Sequence, residues 1–177
     1  SVTDADLAVE QVLRDHLAAG RPHDAIVGEE FGRTTDGVRT WIIDPIDGTS
    51  FFAAGDPHWR VHLALQVDGE TVVSVVSAPA LSLRWWAIRG GGAFEAKWSS
   101  ATRGEPAAMR VSPTAEIDQT RVAVWPPTAR PLVAPGCDIV RASSLHLVDV
   151  LRGDLDGYVV ACCHAWDHAP WILLIEE

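Results

Sequence analysis

Residues 41–52 read Trp-Ile-Ile-Asp-Pro-Ile-Asp-Gly-Thr-Ser-Phe-Phe, and they constrain the chain more than any other stretch. Trp41 to Ile43 predict a short buried strand. Asp44 is expected where that strand stops, Pro45 turns the chain sharply, and Asp47 follows within one turn. Two carboxylates this close repel unless a cation lies between them. Gly48 and Thr49 add backbone N–H groups and a hydroxyl, which suit an anion. The stretch therefore offers a hard cation on one side and a phosphate on the other. An ordinary strand followed by an Asp-Gly turn accounts for the same letters. On this stretch alone the two readings stand level.

The chain has 177 residues, 47% hydrophobic, enough for one domain with a core or two joined halves. Its 14 basic and 24 acidic residues give a net charge of −10, with no Lys/Arg stripe. Nucleic acid and anionic membrane are thus not expected partners. Three cysteines, Cys137, Cys162 and Cys163, form no disulfide framework and no Cys-x-x-Cys site, so a cytoplasmic protein is expected. No apolar run is long enough to span a bilayer. The chain opens on a helix cap and closes inside an apparent helix, so missing material is expected at both ends.

Thr3 to Asp6 form a capping arrangement for a first helix, with Val9, Val12, Leu13, His16 and Leu17 on one face. Asp24 to Gly28 predict a strand running into Glu29-Glu30-Phe31-Gly32. Val61, Leu63, Leu65 and Val67 alternate with His62, Ala64 and Gln66 as a half-buried strand. Asp68-Gly69 turns a hairpin into Thr71–Ala78, and Leu83–Ile88 follows. Gly90-Gly91-Gly92 lacks the strand–helix setting of a nucleotide loop and reads as a tight turn. Later come a strand at Arg121–Trp125, helical spacing in Ser143–Leu151 and a strand at Leu155–Ala161. Pro170 in a helix's first turn makes Asp167 a candidate N-cap.

Strands alternating with helices around a central meander indicate layered α/β or α+β architecture. Acids at strand ends and helix starts can converge on one crevice, and Asp6, Glu29, Asp44, Asp47 and Asp167 all occupy such junctions. Each has a structural explanation alone. Together they favour Mg²⁺ over zinc, which draws on Cys and His. Metals clamping a phosphate ester would activate water and stabilise the developing charge. Ser143 and Ser144 lack the Gly-x-Ser-x-Gly elbow of a serine hydrolase. His164 and His168 lack the Glu of a zincin helix.

With these residues assembled, the chain resembles the inositol monophosphatase superfamily of Mg²⁺-dependent, lithium-sensitive phosphatases. Gly28-Glu29-Glu30, Asp44-Pro45-Ile46-Asp47-Gly48-Thr49 and Trp166-Asp167 carry the match, with Val2-Thr3-Asp4-Ala5-Asp6 upstream. The resemblance implies a layered αβαβα fold, here incomplete at both ends, in one domain with halves near residues 1–120 and 121–177. It implies two or three Mg²⁺ ions held by Glu29, Asp44, Asp47, Asp167 and the Ile46 carbonyl. Gly48 and Thr49 would hold phosphate, Thr49 and Glu29 would orient the attacking water, and Asp6 would hold a further metal or its water. A homodimer acting on a small phosphorylated metabolite is implied, with histidinol phosphate or inositol monophosphate as substrate. Gly28–Gly32, Ser77–Leu81, Arg84–Trp86 and Gly90–Phe94 are most similar to bacterial histidinol-phosphate phosphatases. Three departures fall elsewhere: Ser50-Phe51-Phe52 after the phosphate residues, Arg141-Ala142-Ser143-Ser144 on the substrate side, and Val160 in place of an acid. They leave open a metal- and phosphate-binding homologue with weak or no turnover, or a nucleotide or sugar bisphosphate phosphatase.

Overall fold

A computed structural model describes residues 2–141, 143–161 and 163–177. Ala142 of the substrate-side stretch and Cys162 lie outside the described residues. Contacts divide the chain into two compact units. One runs to Ala108 and includes Ala165–Glu177; the other is Met109–His164.

The first unit is built on an eight-stranded sheet. Its strands are β1 (Ala25–Gly28), β2 (Gly32–Arg33), β3 (Arg39–Asp47), β4 (Arg60–Val67), β5 (Glu70–Ala78), β6 (Leu83–Ile88), β7 (Gly92–Lys97) and β8 (Ala107–Ala108). They lie in the order β2-β1-β3-β4-β5-β6-β7-β8. Only β1 and β3 run parallel; β3 to β8 form an antiparallel meander, of which β4, β5 and β6 are the expected part. Asp68 and Gly69 both take positive φ, the geometry a two-residue hairpin needs to match strand twist. Gly90–Gly92 turns the β6–β7 hairpin, and its Gly90 and Gly92 N–H groups donate to the Glu177 carboxylate at 2.7 and 3.1 Å. That clasp anchors the far end of the helix α4 (Ala165–Glu176) on the sheet.

Helix α4 covers the sheet face that carries Ile42 and Ala64, against which Ala169 and Trp166 pack. Trp171 of α4 packs against Trp85 of β6, both buried. This placement changes the face expected for β4. His62 and Ala64 are buried because α4 covers their side, whereas of the alternating apolar set Leu65 is buried and Val61, Leu63 and Val67 are half-buried. Helix α4 also starts earlier than expected, at Ala165. Asp167 lies in its first turn rather than at its N-cap, and Pro170 lies inside the helix. Proline has no N–H to give the carbonyl four residues back. The Trp166 carbonyl is instead met by His62 Nδ1 at 3.2 Å, and the Pro170 carbonyl accepts the Ser74 hydroxyl at 2.7 Å. The proline break thus becomes a pair of ties to the sheet.

Helix α1 (Asp4–Gly20) carries the expected capping box between Thr3 and Asp6. Its buried side is different from the apolar face expected. Asp6 and Glu10 are fully buried, whereas Val12 is 55% exposed and His16 is exposed. Polar partners on the loops below, rather than apolar spacing, fix the helix's orientation.

The second unit holds a small parallel sheet of β9 (Arg121–Trp125), β10 (Asp138–Ile139) and β11 (Gly157–Val160), in the order β10-β9-β11. Asp156 ties it together, accepting from the Ser112 hydroxyl and from the Arg121 N–H at 2.6 Å. Helix α3 (His146–Leu151) is shorter than the Ser143–Leu151 spacing indicated.

Candidate active site

The 41–52 stretch does not end its strand at Asp44. Strand β3 continues through Pro45 to Asp47, and its pairing with β4 slips: Asp44 faces His62, but Asp47 faces Arg60. Three steps on β3 thus match two on β4, so one extra residue bulges out. In a regular strand, residues three apart point to opposite faces. The bulge turns Asp47 back to the side of Asp44, and it accommodates a proline that has no N–H for the ladder. Two strand acids so become neighbours. Gly48 follows with φ +84°, a left-handed conformation glycine adopts without strain, and α2 (Thr49–Ala53) begins.

Asp167, on the first turn of α4, completes the group. One carboxylate oxygen from each of Asp44, Asp47 and Asp167 lies within 4.8 Å of the others, a spacing that can hold a metal ion. The group contains neither His164 nor His168. The Glu29 carboxyl adjoins it, close enough for its charge to act on Asp44. Asp44 itself is 1% exposed, and its Oδ1 has no hydrogen-bond partner. Burial, then the charges of Asp47, Glu29 and Asp167, push its carboxyl up to about 10. Burial and the neighbouring Glu30 and Asp167 charges raise Glu29 as well. An orphaned buried oxygen among mutually repelling carboxylates is what an oxygen-ligated divalent cation would relieve. The residues fit such an ion.

Around this centre, the Thr49 hydroxyl lies 3.3 Å from Asp6 Oδ1 and 3.2 Å from the Ile46 carbonyl. Asp6 accordingly serves two elements, the α1 cap and the start of α2. Ile46 is buried. Arg141, Ser143, Ser144 and Val160 belong to the second unit. Arg141, Ser143 and Ser144 are exposed. The Ser143 N–H donates to Asp149 at 2.9 Å, and its hydroxyl accepts the Leu145 N–H at 3.0 Å. Val160 ends β11 opposite Trp125.

Two residues missed in the sequence touch the group. Arg60 Nε donates to Asp47 Oδ2 at 2.7 Å and Nη2 lies at 2.5 Å from the same oxygen. His62 Nε2 stands 3.4 Å away from it. Burial lowers the His62 pKa, while the Asp47 charge opposes that shift. The signal available in the sequence was a pair of basic side chains, two apart, on the strand after the acidic run. Alternation alone assigned His62 to the wrong face.

The chain matches the model of the inositol monophosphatase family over residues 1–177. It is 42% identical, over 99% of its length and 70% of the relative's, to a Streptomyces griseus protein named glucose-1-phosphate thymidylyltransferase. To a histidinol-phosphatase of Mycobacterium tuberculosis it is 51% identical, over 66% of its length. The chain spans 44% of the length of that phosphatase. Among solved structures, Mycobacterium tuberculosis SuhB superposes with a TM-score of 0.74 at 32% identity, covering 96% of this chain and 70% of that one. The fold is thus that of inositol monophosphatases. The names of the two relatives differ in reaction, and the family match over the whole chain decides between them at the level of class: the chain belongs to the inositol monophosphatase family, a family of phosphoric monoester hydrolases.

Proposed function

We propose that the chain is a Mg²⁺-dependent phosphomonoesterase acting on a small phosphorylated alcohol by direct attack of water. Histidinol phosphate is the first candidate substrate and inositol monophosphate the second. The observation that carries the reading is the buried, unpartnered Oδ1 of Asp44 within the Asp44–Asp47–Asp167 group. Glu29, Asp44, Asp47, Asp167 and the Ile46 carbonyl would hold two or three ions. When bound, Mg²⁺ would supply Lewis-acid polarisation of the phosphoryl group and a water of lowered pKa.

The chain's own residues divide the remaining work. Glu29 and the Thr49 hydroxyl orient the attacking water. Asp6, in contact with that hydroxyl, fixes its direction and supports a further ion or its water. The Gly48 and Thr49 N–H groups hold the phosphate; the left-handed Gly48 brings the backbone round between Asp47 and Thr49. Arg141, Ser143, Ser144 and Val160 are assigned to the substrate side by position in the sequence, without the family's usual side chains. Both compact units are taken as one inositol-monophosphatase-like domain, in keeping with a family match across all 177 residues. A cytoplasmic homodimer completes the reading, supported by the cysteine usage and the resemblance. No described helix is long and apolar enough to cross a membrane.

A second reading is favoured by Arg60. Its guanidinium holds the Asp47 oxygen that a metal would otherwise share. A homologue that binds metal and phosphate but turns over weakly would use the same site. The experiment is phosphate release from histidinol phosphate, inositol 1-phosphate, glucose 1-phosphate and a nucleotide bisphosphate, with Mg²⁺ and with EDTA. EDTA-sensitive release from histidinol phosphate or inositol 1-phosphate supports the first reading. Silence on every substrate, with Mg²⁺ bound, supports the second.

A further inference from the structure

We infer that Glu10 is a positioning residue, whose buried carboxylate sets the turn that presents Glu29 to the Asp44 group. The inference rests on the reading of Glu29 as a metal ligand. Asp6, Glu10 and Arg14 recur every four residues and so form one stripe of α1. Glu10 is fully buried. Its Oε2 accepts the Glu30 N–H at 2.8 Å; its Oε1 accepts the Phe31 N–H at 3.2 Å and Arg14 Nε at 2.7 Å. Arg14 in turn donates through Nη2 to the Gly32 carbonyl, and its guanidinium lies 5.7 Å from the Phe31 ring centroid.

Residue 28 shows how closely the carboxylate approaches. A Cβ placed on Gly28 would lie 2.0 Å from Glu10 Oε1. Gly28 therefore leaves the notch that the carboxylate fills. Glu29 is then fixed from every backbone side. Gly28 packs on Glu10, the Glu29 N–H donates to the Ile43 carbonyl at 3.2 Å, and the Glu30 N–H is held by Glu10. The bond to the Ile43 carbonyl holds Glu29 beside the residue that precedes Asp44, and the Glu29 charge acts on Asp44 from there.

The chemistry calls for a carboxylate and no substitute. Three N–H donors converge on two oxygens, and a carboxylate only accepts. A glutamine would set its own NH₂ against one of those N–H groups in either orientation of the amide. The charge is tolerable in the interior because Arg14 and two charge-assisted backbone bonds compensate it. Outer partners that orient a ligand typically govern metal affinity by 10–100-fold.

The test is Mg²⁺ binding by calorimetry to the parent chain and to Glu10→Gln, with thermal unfolding of each measured in EDTA. The expected result is Mg²⁺ affinity lower by about tenfold or more in a folded Glu10→Gln. A merely structural Glu10 would lower the melting temperature and leave the affinity of the folded protein unchanged, and that result overturns the inference. Gly28→Ala probes the same contact from the other side, since its Cβ must displace the Glu10 carboxylate; a comparable loss of affinity is expected. If neither variant folds, amide exchange in the parent decides. Glu30 and Phe31 N–H groups exchanging as slowly as those of β1 support the clamp, and rapid exchange overturns it. A parent chain that binds no Mg²⁺ overturns the metal reading itself, which is separable from the case where the parent binds and Glu10→Gln binds equally well.

Discussion

Replacing Asp44 by Asn is expected to make the metal-free chain more stable at neutral pH. In the unfolded chain the Asp44 carboxyl titrates near its ordinary 3.8; in the fold it is pushed up to about 10. Between those values the native state keeps a proton that the unfolded state has released. Stability contributed at this site is therefore full below about pH 4 and falls as pH rises towards 10. Each unit of that window costs about 1.4 kcal/mol, so at pH 7 the charge opposes folding by up to about 4 kcal/mol. Asparagine has the shape of the protonated acid and carries no charge to repel Asp47, Glu29 and Asp167. Allowing for sharing of the shift among the neighbouring carboxyls, Asp44→Asn should gain about 2–4 kcal/mol at pH 7 in EDTA. For a chain of this length that is about 5–15 °C in melting temperature. The gain should vanish near pH 4, and saturating Mg²⁺ should raise the parent while leaving the variant unmoved. Thermal unfolding from pH 4 to pH 8, with EDTA and with Mg²⁺, reads all three. An Asp44→Asn that is less stable than the parent at pH 7 in EDTA would refute the argument that carboxylate repulsion stores destabilisation here.

Two further substitutions probe the ring around the acids. Gly48→Ala forces a side chain into φ +84° with its Cβ 2.9 Å from Phe51, and should cost about 1–3 kcal/mol in urea unfolding together with a higher KM for the phosphate ester. Arg60→Gln removes the guanidinium from the partly buried Asp47; it should lower metal-free stability by about 1–3 kcal/mol, yet strengthen Mg²⁺ binding measured by calorimetry, because Asp47 Oδ2 loses its competitor.

The meander, the Asp68-Gly69 turn and the Gly90–Gly92 turn were legible because alternation and turn chemistry act over a few residues. So was the acidic run. What spacing concealed was how Asp44 and Asp47 come to share a face: a bulge in β3 depends on its pairing with β4. The inward side of β4 was misjudged for a similar reason. Val61 and Leu63 are more apolar than His62, but α4 lies over His62 and supplies the Trp166 carbonyl that Pro170 leaves without its helical donor. On α1 the apolar spacing points to Val12, whereas the buried stripe is Asp6 and Glu10, held by the Thr49 hydroxyl at the start of α2 and by backbone N–H groups of the loop after β1. The polar stripe does recur every four residues, but only partners distant in sequence make it the buried one.

On the proposed function, the Asp44–Asp47–Asp167 group holds the cation that drives phosphate release. The most direct test is phosphate release from histidinol phosphate in Mg²⁺ by the parent and by a folded Asp44→Asn. Turnover by the parent that EDTA abolishes, with only background release by the variant, is the expected result. An Asp44→Asn that hydrolyses the ester as fast as the parent would contradict it.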